Sequence, residues 1–155
     1  MNILIARIAK GGNDWSDRAV AQWFKRMRKP FVCAEKHWKP APDNKNLDHR
    51  REQESQIILK HLKAGDVLIA LDERGTMQTT DQFAQIMERF LNQGTKRVVF
   101  AIGGPYGHHQ KLRDRAQHVL ALSPMILNHE LARMLLVEQI YRVQDLHFGG
   151  RYHHV

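Results

Sequence analysis

The order of apolar runs along this 155-residue chain predicts an α/β domain built on a parallel sheet. Two observations carry that prediction. Short apolar runs of strand length, the strongest at Asp66–Leu71 and Arg97–Ile102, alternate with longer stretches whose apolar residues recur at helical spacing. Hydrophobic residues make up 43% of the chain, enough to fill one core at this length and too few for two, so residues 1–155 read as a single domain.

Taken in order, residues 2–9 form the first predicted strand, and the turn Lys10-Gly11-Gly12-Asn13-Asp14 leads into a helix over 14–28. Trp15, Ala19, Trp23 and Met27 fall every four positions on one face of that helix, while Lys25, Arg26 and Arg28 gather at its end, where cations suit the helix dipole. Phe31–Ala34 is the second strand, Pro40 and Pro42 mark a loop, and a helix from Leu47 to Leu62 stops at Lys63-Ala64-Gly65. After the third strand, Asp66–Leu71, a loop is expected to begin at Asp72-Glu73-Arg74-Gly75. Thr79 followed three residues later by Gln82 has the form of a capping box, opening a helix through Leu91 that Gly94 closes. The fourth strand, Arg97–Ile102, runs straight into Gly103-Gly104-Pro105-Tyr106-Gly107. A helix over 108–117, an extended stretch over 118–122 and a last helix from Asn128 to about Gln144 precede the tail Leu146–Val155. Apolar residues surround that last helix (Leu131, Met134, Leu135, Leu136, Ile140 and Val143 among them), so it needs cover on more than one side, and a second subunit is the expected source of part of it.

Twenty-four Lys and Arg against sixteen Asp and Glu give a net charge of +8, the footprint of a protein that meets phosphate backbones. The cations are spread along the chain and alternate with acids, which argues against a basic membrane-surface helix; Lys25 and Arg26 read as a solvated face before a phosphate contact. No run approaches the roughly 20 apolar residues of a membrane helix, and Met1-Asn2-Ile3-Leu4-Ile5 is too short for a signal-peptide core, so a cytosolic protein is expected. The single Cys33 allows no intramolecular disulfide and reads as a small strand hydrophobe. Adjacent pairs such as His108-His109 and His153-His154 diverge on any regular element, and no His-x-x-x-His pair with an acidic third ligand stands out, so no metal site is expected.

Ligand sites in parallel sheets lie at the carboxyl ends of strands. Three segments stand there: Leu71-Asp72-Glu73-Arg74-Gly75, the glycine segment 103–107, and Leu122-Ser123-Pro124-Met125-Ile126-Leu127-Asn128-His129. The glycine segment is neither a Walker loop nor a dinucleotide fingerprint; Gly103 and Gly104 suit either a tight turn, with positive φ, or close approach of a flat ligand to the backbone. The third segment is apolar where a polar loop is expected, which fits either a nucleoside ring held between aliphatic side chains or a buried strand end without ligand.

The glycine segment, the run Leu122 to Arg133 with its Asn128-His129-Glu130-Leu131, then Glu138-Gln139-Ile140-Tyr141-Arg142, and finally Tyr152-His153-His154 together resemble the SPOUT-class methyltransferases that act on N3 of a pseudouridine in 23S ribosomal RNA of the large subunit. The likeness is dense from residue 66 onward and looser before it. It implies a SPOUT-type parallel sheet flanked by helices, a trefoil knot in the C-terminal half, a homodimer, and S-adenosylmethionine held by Leu71, Gly103, Leu122, Ser123, Pro124, Met125, Ile126 and Leu127. It implies ribosomal RNA, met in the assembled ribosome, as the partner. His129, Tyr152 and His153 are the implied catalytic residues, with His129 orienting or binding, the tail of one subunit near the site of the other, and the general base unassigned. Arg142 and His154 are implied at the substrate, although Arg142 also stands four residues after Glu138, where a helical ion pair forms. The knot follows from the resemblance alone, since threaded chains are rare. Three positions depart from the family's usual pattern: Tyr106 stands where an acid is frequent, Asn128 where a proline is common, and Arg151 where a small residue or proline is frequent. The competing functions are methylation of another RNA, such as a transfer RNA, and noncatalytic RNA binding.

Overall fold

The computed structural model describes residues 1–11, 15–43 and 45–152. Its elements are β1 (Asn2–Ile8), α1 (Asp17–Phe24), β2 (Val32–Trp38), α2 (Leu47–Lys60), β3 (Val67–Met77), α3 (Thr80–Asn92), β4 (Arg97–Ile102), α4 (Gln110–Arg115), β5 (His118–Ala121) and α5 (His129–His147). All pairings among the described strands are parallel, as the alternating pattern predicts, and the sheet order is β2-β1-β4-β3-β5.

Successive side chains of a strand point to opposite faces, and the apolar runs fill two cores accordingly. Ile3, Ile5, Ile69, Val98 and Phe100 face α1, α3 and α5. Ala6, Ile8, Leu68, Ala70 and Val99 lie on the other face, with Ile58 of α2 and Leu112 of α4. Burial at this level, worth about 1.5–3 kcal/mol for each large aliphatic side chain, fixes the register of the central strands. Cys33 packs against the first core, and burial pushes its thiol pKa up to about 12, which suits a strand hydrophobe rather than a nucleophile.

Several boundaries differ from the sequence expectation. α1 begins at Asp17, so Trp15 precedes the helix and is 64% exposed instead of lining its core face; Val20 is buried there, with Trp23, Phe24 and Met27 packed beside it. β2 continues to Trp38 as an edge strand whose polar residues pair with β1 through the backbone. β3 does not stop at Leu71: after Asp72-Glu73-Arg74-Gly75 bulge out, Thr76 and Met77 rejoin Leu120 and Ala121 of β5. Gly75 allows that return, because a Cβ there would sit 2.5 Å from the Val119 carbonyl oxygen. α4 is shorter than 108–117, because Gln117 already donates its N–H to the Leu68 carbonyl at 2.9 Å and takes the Leu68 N–H on its side chain at 2.6 Å. The Thr79 and Gln82 capping box forms as read, and Asn128 caps α5 by accepting the Glu130 N–H at 2.7 Å.

Candidate active site

The three segments at the carboxyl ends of β3, β4 and β5 meet the start of α5 around a cleft of about 630 Å3. Leu71, Gly103, Leu122, Ser123, Met125, Ile126 and Leu127 line it, seven of the eight residues that the resemblance assigns to the cofactor. Pro124 is exposed and lies outside the lining. The loop after β5 is held by Ser123, whose Oγ accepts the Met125 N–H at 3.0 Å, and it leaves Met125 74% and Ile126 83% exposed. These two side chains are therefore not covered by the described residues.

The glycine segment is a turn closed by the Gly107 N–H donating to the Gly104 carbonyl at 3.0 Å. Close approach, not positive φ, is what Gly103 and Gly104 provide: positive φ falls at Gly107. A Cβ on Gly103 would stand 2.9 Å from the Gly107 carbonyl carbon, and one on Gly104 would stand 2.6 Å from Glu54 Oε2. Glu54 of α2 is buried; its Oε1 accepts the Ala41 N–H at 3.1 Å and Arg50 Nε at 3.2 Å. The Arg50 guanidinium in turn lies 5.0 Å from the centre of the Tyr106 ring, so α2 props the glycine turn and gives the departing Tyr106 a cation–π partner.

No Lys or Arg lines this cleft, whereas Asp72 and Glu73 do. Asp72 is buried, with Oδ2 3.1 Å from Arg113 Nη1, which also donates to the His108 carbonyl at 2.6 Å. His108 is buried behind the turn and shares Nε2–H with the Ala101 carbonyl at 3.1 Å; burial holds its pKa below the ordinary histidine range.

His129, at the mouth, has Nε2 3.0 Å from Glu130 Oε1. One turn later Arg133 is buried, donating through Nη1 to Asp17 at 2.6 Å and Ser16 at 3.0 Å and through Nη2 to Glu35 at 2.7 Å; Glu35 also pairs with the buried Arg7 of β1. This network ties the first turn of α5 to β1, β2 and α1, and so fixes where His129 stands. Sequence reasoning did not single out Arg7, Glu35, Glu54 or Arg133, although a charged Arg7 inside an apolar strand run was the available signal.

Across a wall formed by Pro105, Tyr106 and His129 lies a second cleft of about 750 Å3, bounded by Lys10, Lys39 and Arg50 among others. Lys25 and Arg26 line neither cleft; they sit at the amino edge, where Gln144 of α5 donates to the Arg26 carbonyl at 3.1 Å.

The structure does not bring Arg142 and Tyr152 to His129. Thirteen helical positions separate His129 from Arg142, roughly 20 Å. Arg142 forms the expected pair with Glu138, Nη2 to Oε1 2.6 Å, and lies 4.7 Å from the Tyr152 ring centre, while the Tyr152 N–H donates to Asp145 at 2.7 Å. Within one chain the tail therefore folds back on the far end of α5. His153 and His154 lie outside the described residues.

Comparison with known proteins gives the chain a family. A family described as "Predicted SPOUT methyltransferase" matches residues 1–153. A protein of Bacteroides thetaiotaomicron named ribosomal RNA large subunit methyltransferase H is 42% identical over 109 residues, covering 70% of this chain and 69% of the relative. Proteins of the same name are 36% identical in Trichlorobacter lovleyi, covering 99% of this chain and 100% of the relative, and 31% identical in Bdellovibrio bacteriovorus, covering 100% of both. With a glycine turn, an apolar loop and a capped histidine helix converging on one cleft, and with likeness running over nearly its whole length, the chain belongs to the SPOUT methyltransferase family.

Proposed function

We propose that this protein uses S-adenosylmethionine to methylate N3 of a pseudouridine in large-subunit (23S) ribosomal RNA. The observation that carries the reading is the uncovered aliphatic cleft at the ends of three parallel strands. Its chemistry fits the donor: Leu71, Leu122 and Leu127 offer apolar contact to an adenine ring, Gly103 leaves backbone accessible, and the exposed carboxylate of Glu73 matches a positively charged ligand, while Asp72 stays buried against Arg113. Met125, Ile126 and the flanking Ser123 and Pro124 belong to the loop that would close over it. When bound, S-adenosylmethionine supplies an electrophilic sulfonium methyl group.

Methylation at N3 forms an N–C bond while the imide proton leaves, so the protein's part is to hold N3 in line with the methyl and to give the proton an exit. With Glu130 accepting Nε2–H, a neutral His129 carries its lone pair on Nδ1, a buried atom without a hydrogen-bond partner among the described residues. That geometry favours His129 as an orienting group over His129 as the direct proton acceptor. Arg142 and Tyr152 would serve a substrate site only as the contribution of a second subunit, given how far along α5 they stand from His129, and the resemblance groups His153 and His154 with them.

A homodimer is therefore part of the proposal, supported by exposed Trp15, Met125, Ile126, Leu131 and Leu135. So are a C-terminal trefoil knot, cytoplasmic location and recognition of rRNA in the assembled ribosome, which rest on the family resemblance. No described helix is long and apolar enough to cross a membrane. Titration calorimetry with S-adenosylmethionine and sedimentation of the same sample test the reading: a dimer binding one donor per chain is expected. A well-folded dimer that binds no donor would overturn it in favour of noncatalytic RNA binding, and a donor-binding monomer would overturn the two-subunit site.

A further inference from the structure

The second cleft differs from the donor cleft in the charge of its lining. Its walls carry Arg7, Lys10, Lys39 and Arg50 against Asp43 and Glu130. The two arginines are already engaged inside the protein, Arg7 with Glu35 and Arg50 with Asp43 and Glu54. Lys10 and Lys39 are exposed, and neither has an ion-pair partner among the described residues. The cleft thus offers two uncommitted ammonium groups beside two arginines that are already paired. Its inner wall is Pro105, Tyr106 and His129, which is also a wall of the donor cleft. Tyr106 is 41% exposed and backed by the Arg50 guanidinium, the arrangement of a stacking platform for a base. On the Lys10 side of the cleft the backbone at Gly11 lies close against His37: a Cβ on Gly11 would stand 2.7 Å from His37 Nε2.

We propose that this basic cleft holds the RNA strand that carries the target nucleotide, with Lys10 and Lys39 contacting its phosphates and Tyr106 stacking a base beside the wall shared with the donor cleft. The proposal rests on the methyltransferase reading above and assigns it a substrate track. A strand lying there has its backbone held on one side of the wall while one base passes Tyr106 and His129 toward the donor. Phosphate contacts position without reading sequence, so this cleft sets where the RNA lies rather than which nucleotide is chosen.

The test uses the full chain and the variant Lys10→Ala/Lys39→Ala, whose substitutions fall on exposed side chains. Binding of a ten-nucleotide single-stranded uridine RNA is followed by fluorescence anisotropy between 50 and 200 mM salt, with a poly-glutamate peptide of equal charge in parallel. The expected result is about tenfold weaker RNA binding in the variant and a salt slope shallower by about 1.4, two phosphate contacts on a single strand. S-adenosylmethionine affinity should not change, and KM for ribosomes should rise with kcat kept. A second variant, Tyr106→Leu, should weaken RNA binding by about fivefold to a hundredfold with the salt slope unchanged, because stacking releases no counterions. Unaltered RNA affinity and slope in the double variant, with methyl transfer intact in the unmodified protein, would overturn the cleft and leave the enzyme reading standing. Equal, lysine-dependent capture of poly-glutamate would overturn the RNA assignment. RNA binding through these lysines in a protein that transfers no methyl would overturn the substrate track together with the reading it rests on.

Discussion

On one side of the wall formed by Pro105, Tyr106 and His129 the protein presents aliphatic side chains, glycine backbone and two carboxylates; on the other it presents four cations and two carboxylates. The donor-side cleft is made by strand ends, whose residues are fixed by the sheet register, and its buried acid Asp72 is held from behind by Arg113, while Glu73 stands 3.4 Å from Arg74. The basic side is made by loops after β1 and β2, braced by α2 through Glu54 and Arg50. Shape is therefore set most tightly where a flat ligand would be enclosed. Charge is left free where a long polyanion would lie. One wall with unlike faces would set two reactants of opposite electrostatic character side by side.

The comparison breaks most visibly if the donor side is not organised by its buried pair. Asp72→Ala leaves the Arg113 guanidinium with its cleft-side charge uncompensated, and urea unfolding should show a loss of about 3–5 kcal/mol. A loss below about 1 kcal/mol would mean that water already screens the pair. Gly103→Val drives a side chain into the Gly107 backbone rather than simply into empty cleft, because the two positions already touch. Calorimetry should find S-adenosylmethionine binding weaker by at least about tenfold, or 1.4 kcal/mol, and unchanged binding would remove Gly103 from the site. Thr79→Ala removes the capping box of α3, which lines neither cleft. It should lower stability by about 1 kcal/mol while leaving donor and RNA affinities alone, so a change in either affinity would show that the clefts depend on distant helix stability.

The smallest effect is a pH dependence. Burial lowers the pKa of His108 in the folded protein below the ordinary 6.5, so below that pH the unfolded chain takes up protons that the native histidine resists. Its contribution to stability is complete above pH 6.5 and is lost as pH falls through and beneath that value. His108→Gln keeps a donor toward the Ala101 carbonyl but cannot titrate, and its melting temperature should fall less steeply than the parent's between pH 6.5 and 5; parallel slopes would exclude His108 as the source.

Legibility differed between the same two regions. The donor side could be read because its elements are local in sequence: the apolar run Arg97–Ile102 ends in its glycine turn, and Asn128 caps the helix that carries His129. Seven of eight assigned cofactor residues line one cleft as a result. The basic side could not be read, because Lys10 and Lys39 come from different loops that only the pairing of β1 with β2 brings together. The excursion at 72–75 looked like a strand end because nothing local signals that Thr76 and Met77 return to β5. Arg133 carries no local signal, because its partners Ser16, Asp17 and Glu35 lie 98 to 117 residues away in sequence. Tyr152 fell at the expected place in sequence and at the wrong end of α5 for a single-chain site, a separation that helical rise alone predicts.

Transfer of labelled methyl from S-adenosylmethionine to ribosomes lacking this modification, with free ribosomal RNA and transfer RNA in parallel and the labelled nucleotide mapped, tests whether the protein methylates a ribosomal pseudouridine. Label is expected on N3 of a pseudouridine in the large-subunit RNA, strongest with assembled ribosomes. Label confined to transfer RNA would contradict the substrate, and no label on any RNA from a protein that binds the donor would contradict the enzyme.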